Sequence, residues 1–185
     1  MKIIIDSKFH NYQIFIKNGL LDKIELFLNV DKKYLVITDE EIPSIYVNKI
    51  ISKLIDYKII FFKSGESAKS IPIYSKIIEE MISKNIDKDY TIIALGGGVT
   101  GDLVGFISST FYRGLPYIQI PTTLLSQIDS SVGGKVAINF GQIKNVLGAI
   151  YPPTKVLIDP LTLKTLDIRQ FNNGMAEMIK YGLIA

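Results

Sequence analysis

The run Thr91-Ile-Ile-Ala-Leu-Gly-Gly-Gly-Val-Thr-Gly-Asp102 constrains this chain most, because an apolar, strand-forming stretch breaks into glycines and restarts as a helix. Gly96, Gly98 and Gly101 fit the G-x-G-x-x-G spacing. In that pattern the missing side chains allow positive φ and bring backbone N–H groups and a helix N-terminus up to a pyrophosphate. The same spacing also serves a strand-to-helix turn that binds nothing, so spacing alone leaves both readings open. The ordinary dinucleotide fingerprint places an acid about 20 residues further on, at the end of the next strand, to hold a ribose. Here that place reads Ile118-Gln-Ile-Pro-Thr-Thr123, and the nearest suitable acid comes earlier, at Asp39 in Leu35-Val-Ile-Thr-Asp39. Phosphate binding survives this test; the standard strand order does not.

A chain of 185 residues, 48% hydrophobic and 21% charged, is globular and has room for one domain, or for one domain plus part of another. No apolar stretch approaches the roughly 18 residues of a membrane span, Asp6 interrupts the N-terminal apolar run, and cysteine is absent. The expectation is a cytoplasmic protein without disulfides or a membrane partner. The net charge of +3 is scattered over Lys2, Lys17, Lys32, Lys58 and Lys84, which is no nucleic-acid footprint. Of the 21 cationic residues, Arg113 and Arg169 alone carry a guanidinium fork. Arg113, in Phe111-Tyr-Arg-Gly114, is the better candidate to hold an anion, a surface ion pair being the alternative.

Strand-like runs at Tyr34–Thr38, Lys58–Phe62, Thr91–Leu95, Tyr117–Pro121 and Val156–Asp159 mostly alternate with helix-length stretches. In Ile71–Ser83, Ile73, Ile77, Ile78 and Met81 share a face. This rhythm predicts an α/β fold with a mainly parallel, Rossmann-like sheet and helices on both faces. A hairpin is expected at the start, with Lys2–Ile5 and Tyr12–Ile16 flanking Phe9-His-Asn11. Pro152-Pro153 and Pro160 suggest a change of domain, giving an α/β domain over 1–160 and the start of a helical domain over 161–185. The segment Asn172–Ala185 ends on apolar residues with no Gly, Pro or basic last turn, so the chain is expected to stop within a helix whose continuation is missing.

Several polar groups fall near strand ends, where open α/β sheets bind ligands. Ser64-Gly-Glu-Ser-Ala-Lys69 offers a Glu and a Lys that could address ribose hydroxyls, or simply a capped loop. Thr122 and Thr123 can serve a ligand or a helix cap. In Gln127-Ile-Asp-Ser-Ser-Val-Gly-Gly-Lys135, the glycine pair would let Lys135 point back beside Asp129 as a phosphate contact, and Lys144-Asn145 adds a cation and an amide. Glu177 and Lys180 share a helix face with Tyr181 beside them, either as an exposed ion pair or with Glu177 as a metal ligand. With one histidine, His10, and no cysteine, the chain cannot complete an ordinary zinc site.

Taken in order, Ser64 to Lys69, Gly96 to Asp102, Phe111 to Gly114, Pro121-Thr-Thr123, Gln127 to Lys135, Lys144-Asn145 and Gly174-Met-Ala-Glu-Met-Ile-Lys-Tyr-Gly182 resemble the 3-dehydroquinate synthase family, from about Val36 to the last residue. The resemblance implies NAD and a divalent metal, zinc or cobalt, at the junction with a helical C-terminal domain. It implies that NAD would be held by Asp39, Ser64, Gly65, Glu66, Ser67, Ala68, Lys69, Gly98, Val99, Thr100, Gly101, Asp102, Thr122, Thr123, Lys135, Lys144, Thr162, Leu163, Lys164 and Thr165. Asp129, Lys135, Asn145 and Lys180 would face the substrate, Arg113 would reach the substrate of a neighbouring subunit in a homodimer, and Glu177 would be the first metal ligand. The implied substrate is a phosphorylated sugar acid, 3-deoxy-D-arabino-heptulosonate 7-phosphate. Transient oxidation of its alcohol acidifies the neighbouring C–H and lets phosphate leave; re-reduction and an aldol step then close the ring. The family's histidine ligands lie in its C-terminal half, so this chain is expected to be inactive alone. A related sugar-phosphate cyclase, a metal-dependent polyol dehydrogenase and a non-catalytic NAD-binding fragment are the competing readings.

Overall fold

The computed structural model describes residues 1–6 and 11–184; His10 and the turn of the expected opening hairpin lie outside the described residues. In chain order the elements are β1 (Lys2–Asp6), β2 (Asn11–Ile16), a 3₁₀ segment Leu20–Leu26, β3 (Lys33–Asp39), α1 (Ser44–Ile51), β4 (Asp56–Phe62), α2 (Ile71–Ser83), β5 (Tyr90–Gly96) and α3 (Gly98–Thr110). There follow β6 (Tyr117–Pro121), β7 (Lys135–Phe140), β8 (Ile143–Ile150), β9 (Lys155–Ile158) and α4 (Ile168–Ile184). The main sheet runs β1-β2-β9-β6-β5-β3-β4, and β7 and β8 form a separate antiparallel pair. Within the main sheet only β1 and β2 pair antiparallel.

Helices cover both faces because the central strands are apolar on both. Leu35, Ile37, Ile92 and Ala94 pack with Ile77 and Met81 of α2 and Leu103, Val104 and Ile107 of α3. Their neighbours Tyr34, Val36, Ile93 and Leu95 point the other way, onto Tyr46, Val47 and Ile50 of α1 and onto Leu20, Leu21 and Ile24. Expected and observed bounds of α2 coincide, since the Ile77/Met81 stripe is buried and Pro72 sits in its first turn.

The structure corrects four expectations. Lys144 and Asn145 do not follow a strand of the main sheet: they stand at the amino end of β8, in a hairpin the sequence reading did not foresee. That hairpin packs on α3, where a Cβ on Gly105 would run into Val136. Of the three patterned glycines only Gly96 has positive φ, while Gly98 and Gly101 lie in the first turn of α3. Pro160 does not merely close a strand; it opens a 3₁₀ turn, Pro160–Thr165, capped by the Asp159 carboxylate. Finally, α4 begins at Ile168, ahead of the segment Asn172–Ala185 that looks helical in sequence, because Asp167 accepts a hydrogen bond from the N–H of Arg169 at 2.8 Å.

Candidate active site

The strand order explains why the acid comes early. β3 lies directly beside β5, so Asp39 at its carboxyl end stands next to the glycine turn that ends β5. The Thr100 hydroxyl, in the first turn of α3, donates to Asp39 Oδ2 at 3.0 Å. Burial pushes the Asp39 carboxyl above its ordinary value, and the Thr100 hydrogen bond partly opposes the shift.

These ends open into a cleft of 930 Å³. Asp39, Gly97, Gly98, Val99, Thr100 and Asp102 line one side, with Ser64, Gly65, Glu66 and Lys69 from the loop after β4. Thr122, Thr123, Ser130, Thr162 and Thr165 line the rest. The glycines matter here by closeness: a Cβ would lie 3.0 Å from Thr123 Cγ2 at Gly97, 3.0 Å from Ser130 Oγ at Gly98 and 3.3 Å from Gln119 Nε2 at Gly101. At Gly97 and Gly98 the backbone is therefore bare toward the cleft and the N–H groups that open α3 are available to an anion, whereas the Gly101 N–H pairs with Gly97 O at 3.0 Å and its Cα faces Gln119.

Thr123 fulfils the capping alternative: its Oγ1 accepts from the N–H of Ser126 at 3.2 Å, starting a π-helical turn over Ser126–Ser130. Gln127, which the sequence reading passed over, is buried and its amide donates to Pro121 O at 3.2 Å, Asp159 O at 3.3 Å and Thr162 Oγ1 at 3.0 Å. It fastens the 160–165 turn to the end of β6. Tyr46 does the same from α1, sharing a 2.9 Å hydrogen bond with Thr165 Oγ1. Leu163 is half-buried and Lys164 exposed on that turn.

Lys69 is 4% exposed, an unusual place for an ammonium. It donates to Asp102 Oδ2 at 2.6 Å and to Asn145 Oδ1 on β8. Burial raises the Asp102 carboxyl and the Lys69 charge holds it down. Beyond Asp102 a second hollow of 490 Å³ is lined by Lys135, Asn145 and apolar residues of the β7–β8 hairpin. Ser67 and Lys144 are exposed, and Ala68 is buried beneath the loop.

Asp129 ends the π-helical turn, and Tyr181 of α4 donates to its Oδ1 at 2.6 Å, which pushes the phenol up to about 12. On the same helix Lys180 donates to Glu177 Oε1 at 2.8 Å, which raises the ammonium's pKa. Lys135 makes no hydrogen bond to Asp129 among the described contacts, and it stands at the start of β7. Among the described residues no group of three or more His, Asp or Glu could hold a metal ion. Arg113 is not brought to the cleft at all. It is exposed in a left-handed conformation (φ 66°) after α3, near the amino ends of β5 and β6 and so at the opposite end of the sheet.

This architecture has close counterparts. A solved 2-deoxy-scyllo-inosose synthase complexed with carbaglucose-6-phosphate, NAD⁺ and Co²⁺ superimposes with a TM-score of 0.89 at 28% identity, covering 97% of this chain and 50% of that one. A 2-epi-5-epi-valiolone synthase from Streptomyces hygroscopicus subsp. jinggangensis 5008, with NAD⁺ and Zn²⁺ bound, gives 0.85 at 31% identity, covering 96% and 51%. A curated 3-dehydroquinate synthase from Prochlorococcus marinus (strain MIT 9515) is 43% identical over 192 residues, covering 99% of this chain and 53% of its own length. The chain thus spans about half the length of the curated relatives it matches. The sequence model for the 3-dehydroquinate synthase N-terminal family matches residues 59–173, from the middle of β4 into α4 and so across the glycine turn and most of the cleft lining, and the chain belongs to that family.

Proposed function

We propose that this chain supplies the NAD-binding half of a cytoplasmic, homodimeric 3-dehydroquinate synthase that converts 3-deoxy-D-arabino-heptulosonate 7-phosphate to 3-dehydroquinate and phosphate. The observation that carries the proposal is the cleft: a helix N-terminus flanked by a half-buried carboxylate and a row of hydroxyls, at the carboxyl ends of adjacent parallel strands. We assign residues 1–160 to the cofactor domain and 161–185 to the start of a helical one.

These residues fit the cofactor. Gly98, Val99, Thr100 and Gly101 would receive the pyrophosphate, Asp39 the adenosine ribose, and Thr122, Thr123 and the 160–165 turn the opposite wall. When bound, NAD supplies a reversible sink for the substrate's hydride. The chain's own groups orient it: Lys69 holds Asp102 beside the second hollow, where Lys135 and Asn145 would take the phosphorylated substrate. Arg113 would serve a neighbouring subunit, consistent with its place far from its own cleft.

The described residues do not by themselves fit a divalent metal. Glu177 is a lone carboxylate paired to Lys180, where a catalytic zinc takes about three protein ligands. The 185-residue chain is therefore expected to bind NAD and not to release phosphate from the heptulosonate phosphate. Calorimetric titration with NAD and a phosphate-release assay with zinc or cobalt added check the two halves of this expectation. Absence of NAD binding would sink the assignment, and turnover by this chain would sink the account of the metal.

A further inference from the structure

One polar side chain joins the cofactor loop to the β7–β8 hairpin, and neither composition nor resemblance drew attention to it. Asn139, half-buried near the end of β7, donates from Nδ2 to Glu66 Oε1 at 3.0 Å and accepts at Oδ1 from the N–H of Asn145 at 2.9 Å. Its own N–H donates to Lys69 O at 2.8 Å. The amide's orientation is fixed by its partners, since a carboxylate only accepts and a backbone N–H only donates. Asn145 is held at φ 54°, a left-handed conformation that asparagine tolerates better than other residues with a side chain, and there its Oδ1 meets the Lys69 ammonium. The loop is closed: Glu66 to Asn139, Asn139 to Asn145, Asn145 to Lys69, and Lys69 to Asp102 on α3.

We propose that Asn139 is a positioning residue of this site, setting the Glu66 carboxylate and the Asn145 amide in one fixed mutual geometry before any ligand arrives. The inference rests on the NAD-binding reading, because Glu66 and Lys69 belong to the cofactor loop. Asparagine suits the position because it both donates and accepts; aspartate loses the donor and leucine loses both. The hollow around Asn139 has Glu66 and Lys69 as its charged lining, with Asp102 beyond Lys69.

Asn139→Asp and Asn139→Leu separate the two arms. In Asn139→Asp the new carboxylate faces Glu66, so NAD affinity should fall about tenfold at pH 8, the scale of one charged hydrogen bond. It should recover once the pH is low enough for one of the two facing carboxyls to take a proton and donate as the amide did. Asn139→Leu should be weak at every pH. Without NAD, amide exchange at Asn145 should accelerate at least about tenfold in Asn139→Leu and stay near wild type in Asn139→Asp, which keeps the acceptor. Equal losses at every pH that track a lower Tm, or unchanged Asn145 exchange in Asn139→Leu, would overturn the positioning role. Failure of the wild-type chain to bind NAD would instead remove the cofactor reading, and the exchange experiment would still decide whether Asn139 fixes Asn145.

Discussion

The cleft at the ends of β3, β5 and β6 and the face of α4 are built by opposite rules. In the cleft, polar groups are buried and tied to partners from several elements: Lys69 to Asp102, Thr100 to Asp39, Gln127 to Thr162. On α4, Glu177 and Lys180 pair only with each other, Tyr181 reaches Asp129 at the surface, and Met178, Ile179, Leu183 and Ile184 are exposed. Gly174 is the buried residue of this helix, seated where a Cβ would lie 2.6 Å from Leu124. The cleft is cross-braced and so preformed, whereas α4 is tied to the rest of the described chain by the Gly174 seat and the Tyr181–Asp129 hydrogen bond.

The largest blow to this contrast should come from Lys69→Met, which leaves Asp102 buried without its cation. We expect a loss of about 3 kcal/mol in urea unfolding at pH 7 and loss of NAD binding. Burial already raises the Asp102 carboxyl, so its folded form holds a proton more readily than the unfolded chain does. Such a group costs stability above its folded pKa, and the cost disappears as pH falls through it. The variant should therefore regain ground on wild type on acidification; a parallel fall would break the cross-bracing argument.

Next in size is Gly174→Val, whose side chain collides with Leu124 and the Leu125 N–H. Overpacking of this kind costs about 1–3 kcal/mol. It should expose Arg169 and Lys180 to trypsin while NAD affinity stays within about twofold. A matching loss of NAD affinity would show that the two regions are one unit. A finer probe is Gly98→Ala, alone and with Ser130→Ala. The added methyl meets Ser130 Oγ at 3.0 Å, and with that oxygen gone the next contact is Ser130 Cβ at 3.7 Å. If a pyrophosphate lies on this turn, calorimetry should show NAD binding weakened about tenfold, or about 1.4 kcal/mol, in both variants. Rescue by the second substitution would mean that Gly98 is there for packing. The smallest effect belongs to Tyr181→Phe, expected to leave Tm within about 1 °C. It should also remove the phenol that titrates at about 12.

Much of the cleft could be read directly because its determinants are local. Strand runs with turn residues after them give β3 to β6, and the glycines mark where backbone must come close. Asp39 was found from the missing ribose acid after β6, which also betrayed the unusual strand order. The hairpin was hidden for a physical reason. Val136 and Ile138 are buried, but β8 is exposed along nearly its whole length, so it shows no alternation. Gly133 and Gly134 read as ligand-loop glycines, although they take positive φ just before β7, as Gly141 does just after it. Asn139 looks like a surface residue, because nothing in sequence tells a solvated amide from one braced by groups far along the chain, and for the same reason the burial of Lys69 could not be read beside its candidacy as a ligand contact. The start of α4 was missed although its signal is local, since Asp167 is an ordinary N-cap residue.

The position of β2 between β1 and β9 has a consequence for how the chain comes into being. Gln13 pairs with Lys155, and the Asp159 carboxylate accepts the N–H groups of Gly19 and Leu21 at 2.9 and 3.0 Å. During synthesis the opening hairpin emerges first and has no seat until β9 leaves the ribosome, long after β3, β5 and β4 can pair with one another. In order of synthesis the sheet then grows from the β3–β4 pair through β5, β6 and β9 toward β2, and the first residues made are among the last to be placed. Until Asp159 arrives, Ile14 and Tyr12 stay open to water, so the interval before β9 emerges is when this chain is most exposed to wrong partners.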